Sequence, residues 1–221
     1  MMKKLFFILT ISFFLSPSAF CNDECSSVQI NPKIKVLSSY GKLTFDKSKT
    51  QKELTKTTKQ HVFVENGLFA NGLSTANINF DISLKTYAQK LNDSKFCIIP
   101  KEVTIFLGFE NPTIYISSNL EENSCEYNIV LNHEKTHQQI NIKTLEYYLP
   151  LFKNTSTTII KEIEPLVITD INKLEDTTND YIKIYNKKLT PLVDFIKKEI
   201  FEQQKKLDNP DNYKYENSLC D

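Results

Sequence analysis

The chain contains no arginine: all 27 of its basic residues are lysines, and they are matched by 27 aspartates and glutamates. Without guanidinium forks, and with no net positive charge to build a basic groove, nucleic acid is excluded as an expected partner. Histidine is almost as scarce, with only His61, His133 and His137. Beyond the first twenty or so residues no apolar run is long enough to span a bilayer, so no transmembrane anchor is expected in the mature chain. The sequence also lacks internal repeats and long linkers.

What is present begins with a leader. Met1-Met2-Lys3-Lys4 is followed by an apolar stretch from Leu5 to Leu15 and then by Ser16-Pro17-Ser18-Ala19-Phe20-Cys21. This is the pattern of a signal peptide over residues 1–21, with small residues at Ala19 and Cys21 for cleavage. Phe20 is too large for the position before a lipidated cysteine, so plain cleavage is expected, placing the protein in the periplasm or outside the cell. Cleavage leaves Cys25, Cys97, Cys125 and Cys220, an even set in a chain bound for an oxidising compartment. Two disulfides are expected. Of the three connectivities, Cys97–Cys125 is favoured because both flank one strand-rich segment, and Cys25–Cys220 because both lie near the termini.

About 200 mature residues suit one compact core with a helical extension. The reading is a core over residues 22–150 and a C-terminal helical segment over 151–221 packed on it. Lys33 to Tyr40 reads as a strand, and Thr50 with Glu53 as the capping box of a short helix running to Gln60. Ile78, Phe80, Ile82 and Leu84 alternate strictly, as a half-buried strand requires. A second alternation through Phe96 and Ile98 breaks phase at Pro100-Lys101 and resumes at Val103, Ile105 and Leu107, which predicts a bulge or turn there. Thr113 to Ser117 reads as a last strand. The order, sheet first and helices after, gives an α+β fold: an N-terminal antiparallel sheet with a short helix, then a motif helix capped by Asn123 and Glu126, then C-terminal antiparallel helices. Pro150 is expected to end or kink the motif helix. Ser156 to Ile171 is read as a second helical stretch interrupted at Pro165. A third is read from about Asp180, stopped by Asp208-Asn209-Pro210.

The motif is His133-Glu134-Lys135-Thr136-His137, an H-E-x-x-H pentapeptide holding two of the three histidines. Four residues advance a helix by slightly more than a turn, so the two imidazoles leave one face about 40° apart and can reach one ion. Asn132, Lys135, Gln139, Lys143 and Glu146 fall on the opposite, polar side, so the histidines are expected to point inward. His133 and His137 are therefore the expected ligands of one zinc ion. Glu134 is the expected general base, taking a proton from a zinc-activated water. Zinc in hydrolases takes a third protein ligand. A metzincin would place glycine at 140 and histidine at 143, where this chain has Ile140 and Lys143, so that class is excluded. Glu162, Glu164, Asp170 and His61 remain as candidates. Tyr115 or Tyr148 could serve an oxyanion.

From Tyr40 to about Leu149 the order of elements resembles a family of secreted bacterial proteins, themselves taken to be zinc-dependent proteases from their own H-E-x-x-H. The resemblance rests on the Thr50–Thr57 helix, the alternating strand from Asn77 to Leu84, Cys97 opening the next strand, and Ser124-Cys125-Glu126-Tyr127 leading to the motif. It implies His133 and His137 as zinc ligands, Glu134 as acid/base, and a peptide or protein substrate. The expectation is an exported zinc peptidase. The alternative is a non-catalytic envelope protein that binds metal or a partner, and hydrolysis of a non-peptide amide is a weaker third reading.

Overall fold

The computed structural model describes Cys25, Val28, residues 31–61 and residues 69–220; the signal peptide expected over 1–21 lies outside the described residues. The chain runs β1 (Lys33–Leu37), β2 (Thr44–Asp46), α1 (Gln51–His61), β3 (Gly72–Asn92), β4 (Lys95–Ile116), α2 (Cys125–Lys161), β5 (Leu166–Ile168), α3 (Leu174–Leu207) and α4 (Pro210–Asn217).

The strands form around one long hairpin. β3 and β4 pair antiparallel from Gly72↔Ile116 to Asn92↔Lys95, and the two-residue turn at Asp93-Ser94 is held by the Ser94 amide donating to Asn92 Oδ1 at 3.0 Å. Pro100-Lys101 behaves as its broken alternation predicts. Lys85 pairs with Glu102 and Thr86 with Pro100, so Lys101 bulges out and both halves of β4 keep their apolar side on the core. Thr113 to Ile116 continues β4 rather than forming a separate strand.

The expected antiparallel sheet is corrected here. β1 pairs with Glu102–Phe106 and β2 with Thr113–Tyr115, and both run parallel to β4. β5, from the C-terminal part of the chain, pairs antiparallel with Phe96–Ile98. The sheet is therefore mixed. Alternating side chains report which face a strand buries and say nothing about the direction of its neighbour, because parallel and antiparallel partners share the period of two.

Helices α2 and α3 lie on the sheet and run antiparallel, as partners such as His137 with Gln204 and Tyr148 with Phe195 and Glu199 show. The core lies between: Ile82, Ile98, Val103, Ile105 and Leu107 from the sheet meet Leu145, Phe152 and Ile160 of α2 and Tyr181, Tyr185, Leu189 and Ile196 of α3. Tyr181 ties the layers together. Its phenol donates to the Ile98 carbonyl at 2.7 Å and accepts from the Leu166 amide at 2.8 Å, and burial pushes its pKa up to about 12.

Neither internal proline ends its helix. Pro150 lies within α2 and Pro191 within α3. Each is exposed, as are Glu146 and Lys187, the residues whose carbonyls lose a partner, so water can take up the freed groups. Buried neighbours such as Phe152 and Leu189 hold the helices in place. α2 consequently absorbs Ser156–Lys161, and Leu166–Ile168 is a strand rather than helix. The α1 capping box forms as expected, with the Thr50 amide donating to Glu53 Oε2 at 2.8 Å. At α2 the cap is Ser124, whose Oγ accepts from the Tyr127 amide, while Asn123 takes a positive φ of 65°.

Two disulfides form, with pairing other than the favoured one: Cys25–Cys97 and Cys125–Cys220. Cys97 is buried in β4 beside Cys25, Val28 and Ile99. Cys125 is the first residue of α2, and the return of α3 brings the C-terminus back to it. Among the described residues no helix is long and apolar enough to cross a membrane.

Candidate metal centre

The site is assembled where α2 starts and α3 ends. On α2 the polar positions Asn132, Lys135, Gln139, Lys143 and Glu146 are exposed, while His133 and Glu134 are each only 6% exposed. Packing of the opposite face against β3 and α3 thus turns the motif inward. Gln138, also on that face, donates to Ser74 Oγ at 2.5 Å and to the Thr75 carbonyl at 3.2 Å, which seats the helix on the start of β3.

Three atoms converge. His133 Nε2 lies 3.1 Å from His137 Nε2, and Asp208 Oδ1 lies 3.2 Å from the first and 3.0 Å from the second. Asp208 is the C-cap of α3, the residue at which Asp208-Asn209-Pro210 stops the helix. A tetrahedral ion about 2.0–2.1 Å from each donor would space the donors about 3.3–3.4 Å apart, so this triangle needs to open by only a few tenths of an ångström. His133, His137 and Asp208 form a group able to hold a metal ion.

The outer nitrogens decide the chemistry. His133 Nδ1 faces the Glu216 carboxylate at 2.9 and 3.2 Å, and His137 Nδ1 faces Gln204 Oε1. Gln204 is oriented by its own amide, whose Nε2 donates to the His137 carbonyl at 3.0 Å and to Asn141 Oδ1 at 2.6 Å. Both Nδ1 atoms therefore meet acceptors and carry the proton, which leaves both Nε2 lone pairs aimed at each other and at a carboxylate oxygen. Such a convergence is stable only with positive charge among the three atoms. A divalent ion or added protons can provide it.

The ionisation of the site without metal follows. Burial alone would lower the pKa of His133 and of His137, but the Asp208 hydrogen bond and the nearby carboxylates, Glu134 among them, outweigh it and raise both. Burial would raise Asp208, yet hydrogen bonds from the two histidines and Tyr213 hold it far below the usual carboxylate range. Glu134 is pushed up to about 7 by burial, against the opposing pull of the histidines. It accepts from the Ser74 backbone amide. Gly72 makes the close approach possible, because a Cβ there would stand 2.7 Å from both Glu134 Cγ and Val130 Cγ1.

Asp208 was not among the expected third ligands, and of those that were, Glu162, Glu164 and Asp170 are not brought to the site. Glu162 is the C-cap of α2, about 37 Å along the helix from His137 at 1.5 Å per residue. Glu164 follows it, and Asp170 caps the turn that leads into α3, at the end of that helix opposite Asp208. His61 closes α1, and its side chain lies outside the described residues. Tyr148 bonds to Glu199 and Tyr115 lies under Lys49. The tyrosine at the site is Tyr213 of α4, its ring 5.1 Å from that of His133 and stacked at 28°, its hydroxyl donating to Asp208 Oδ1 at 2.7 Å. Asp208 was legible only as part of a helix stop. Gln204, Tyr213 and Glu216 carried no signal in the sequence, since nothing local ties them to the motif. No protein-family model, characterised protein or solved structure matches this chain, so the resemblance drawn above gains nothing from them and the site is read from its geometry.

Proposed function

We propose that this protein is an exported, zinc-dependent hydrolase acting on peptide bonds, with His133, His137 and Asp208 as the metal ligands and Glu134 as general base. The observation that carries the reading is the meeting of two Nε2 lone pairs and one carboxylate oxygen within 3.0–3.2 Å, with both Nδ1 atoms already engaged. Two imidazoles and a carboxylate suit zinc by ligand type and number. Two disulfides fit a periplasmic or secreted protein.

When bound, the ion supplies Lewis acidity toward a carbonyl and toward water. The chain supplies the rest. Glu216 and Gln204 fix the tautomers of the histidines, an outer arrangement typical of metal-binding imidazoles. Glu134, with a pKa of about 7, is poised to accept a proton near neutral pH and return it to a leaving amine. The Ser74 amide holds its carboxylate in place.

A second reading is favoured by one observation: α4 lays Tyr213 and Glu216 directly on His133, which is buried. A metal there would clasp α2, α3 and α4 together without catalysis. Glu134→Gln separates the two. With zinc bound at one equivalent by elemental analysis, the peptidase reading expects hydrolysis of unfolded-protein and peptide substrates to be lost in the variant. Wild-type protein that holds zinc yet cleaves none of these substrates, before or after reduction of its disulfides, leaves the clasp. Protein that takes up no zinc ends both.

A further inference from the structure

Helix α4 covers the centre without belonging to the core. None of its residues is buried, and Tyr213 and Tyr215 keep large exposed surfaces, as does Leu219 just beyond it. An eight-residue helix has little stability of its own in water. What holds it in place is the site itself and two tethers. Tyr213 stacks on His133 and donates to Asp208, and Glu216 engages His133 Nδ1 while accepting from Asn212. One tether is the break at Asp208-Asn209, where Asn209 is extended with φ −103° and ψ 153°. The other is the Cys125–Cys220 disulfide, which joins the end of the chain to the first residue of α2, two turns before His133.

The two disulfides differ in accessibility. Cys25 and Cys97 are both buried, whereas Cys125 is exposed and Cys220 partly so. A reductant in solution therefore reaches the second bond and not the first.

We infer that α4 is a displaceable strap over the metal centre and that the Cys125–Cys220 disulfide is its latch, a form of regulation that rests on the metal-site reading above. In the latched form the strap shields His133 and retains the ion. A dithiol reductant opens it by thiol–disulfide exchange: its two thiols are oxidised to a disulfide, and Cys125 and Cys220 each take a proton as thiols. Freed at its far end, α4 carries Tyr213 and Glu216 away from His133. The imidazole then loses its outer partner, and the face of the site becomes open to solvent and substrate.

The test uses the full mature chain loaded with one equivalent of Zn2+. Zinc transfer to a chromogenic chelator is timed with the disulfide intact, after reduction by a phosphine that does not itself bind zinc, and in Cys125→Ser/Cys220→Ser. Loss of the Glu216 partner predicts transfer faster by roughly 10- to 100-fold in the last two, with the double variant insensitive to reductant. Hydrogen exchange over 210–220 should rise in step while α2 and α3 stay protected, which also shows that the variant is folded. Equal transfer rates in all three, with zinc bound at one equivalent, overturn the strap and leave the metal site standing. Unchanged protection of 210–220 in the double variant overturns it as well. Failure of the intact chain to bind zinc overturns both.

Discussion

The two ends of the α2–α3 pair are built on one geometry and do opposite work. Toward the end of α2, Phe152 and Ile160 face the sheet and the start of α3, where Tyr181, Tyr185 and Leu189 are fully buried. Toward its beginning, the same inward face carries His133, Glu134, His137, Gln138 and Asn141, and α3 answers with Gln204 and Asp208. The apolar end contributes stability in proportion to the area it removes from water. The polar end removes charge from water and holds three lone-pair atoms together, which costs free energy unless a cation is present. The difference sets the polar end apart as the candidate site.

Four experiments sharpen the contrast. The largest effect is expected at the apolar end, where Phe152→Ala should cost about 3–5 kcal/mol in urea denaturation with or without zinc. A zinc-dependent loss there would mean that the two ends are not independent. Asp208→Ala should weaken zinc binding by more than roughly 100-fold, beyond what loss of an outer partner does, and abolish the rise in Tm on adding zinc. Glu162→Gln should leave both unchanged, and the reverse pattern would move the third ligand to the other end of the helix.

The pH dependence of the metal-free protein gives the third. Glu134 has its folded pKa raised from 4.5 to about 7, so its contribution to stability is lost as pH rises between those values. The raised histidines lose theirs as pH rises through their folded pKa values, and the depressed Asp208 loses its contribution as pH falls below about 4. Metal-free protein should therefore be most stable near about pH 4–4.5, above the range in which Asp208 is lost and below that in which Glu134 must ionise, and should lose stability steadily up to about pH 7. Glu134→Gln should add about 2–3 kcal/mol at pH 8 and nothing at pH 4. Equal effects at both pH values would show that Glu134 is not a buried carboxylate. The smallest change is Gln204→Leu, which should lower zinc affinity by about 10- to 100-fold while the three ligands remain. Unaltered affinity would show that His137 needs no acceptor on Nδ1.

Parts of this were legible in the residues. The facing of His133 and His137 follows from four-residue spacing on an amphipathic helix, and Asn132, Lys135, Gln139, Lys143 and Glu146 are exposed where the wheel puts them. The bulge at Lys101 and the Thr50–Glu53 box were readable because each depends on a few adjacent residues. The parallel pairing of β1 and β2, the Cys25–Cys97 and Cys125–Cys220 pairs, and the uninterrupted passage of α2 through Pro150 were not. Each depends on what packs against the segment from elsewhere in the chain.

By itself the sequence determined the spacing of the histidines, the inward face of their helix and the alternation of the long strands, because covalent geometry sets all periods within an element. Only the tertiary structure decided that Asp208 is the third donor, that Gln204 and Glu216 hold the outer nitrogens, and that α4 lies over them. Those residues stand 67 to 83 positions from their histidines. Nothing local relates them, and the meeting exists because burial of two apolar helix faces on one sheet brings the end of α3 back to the start of α2.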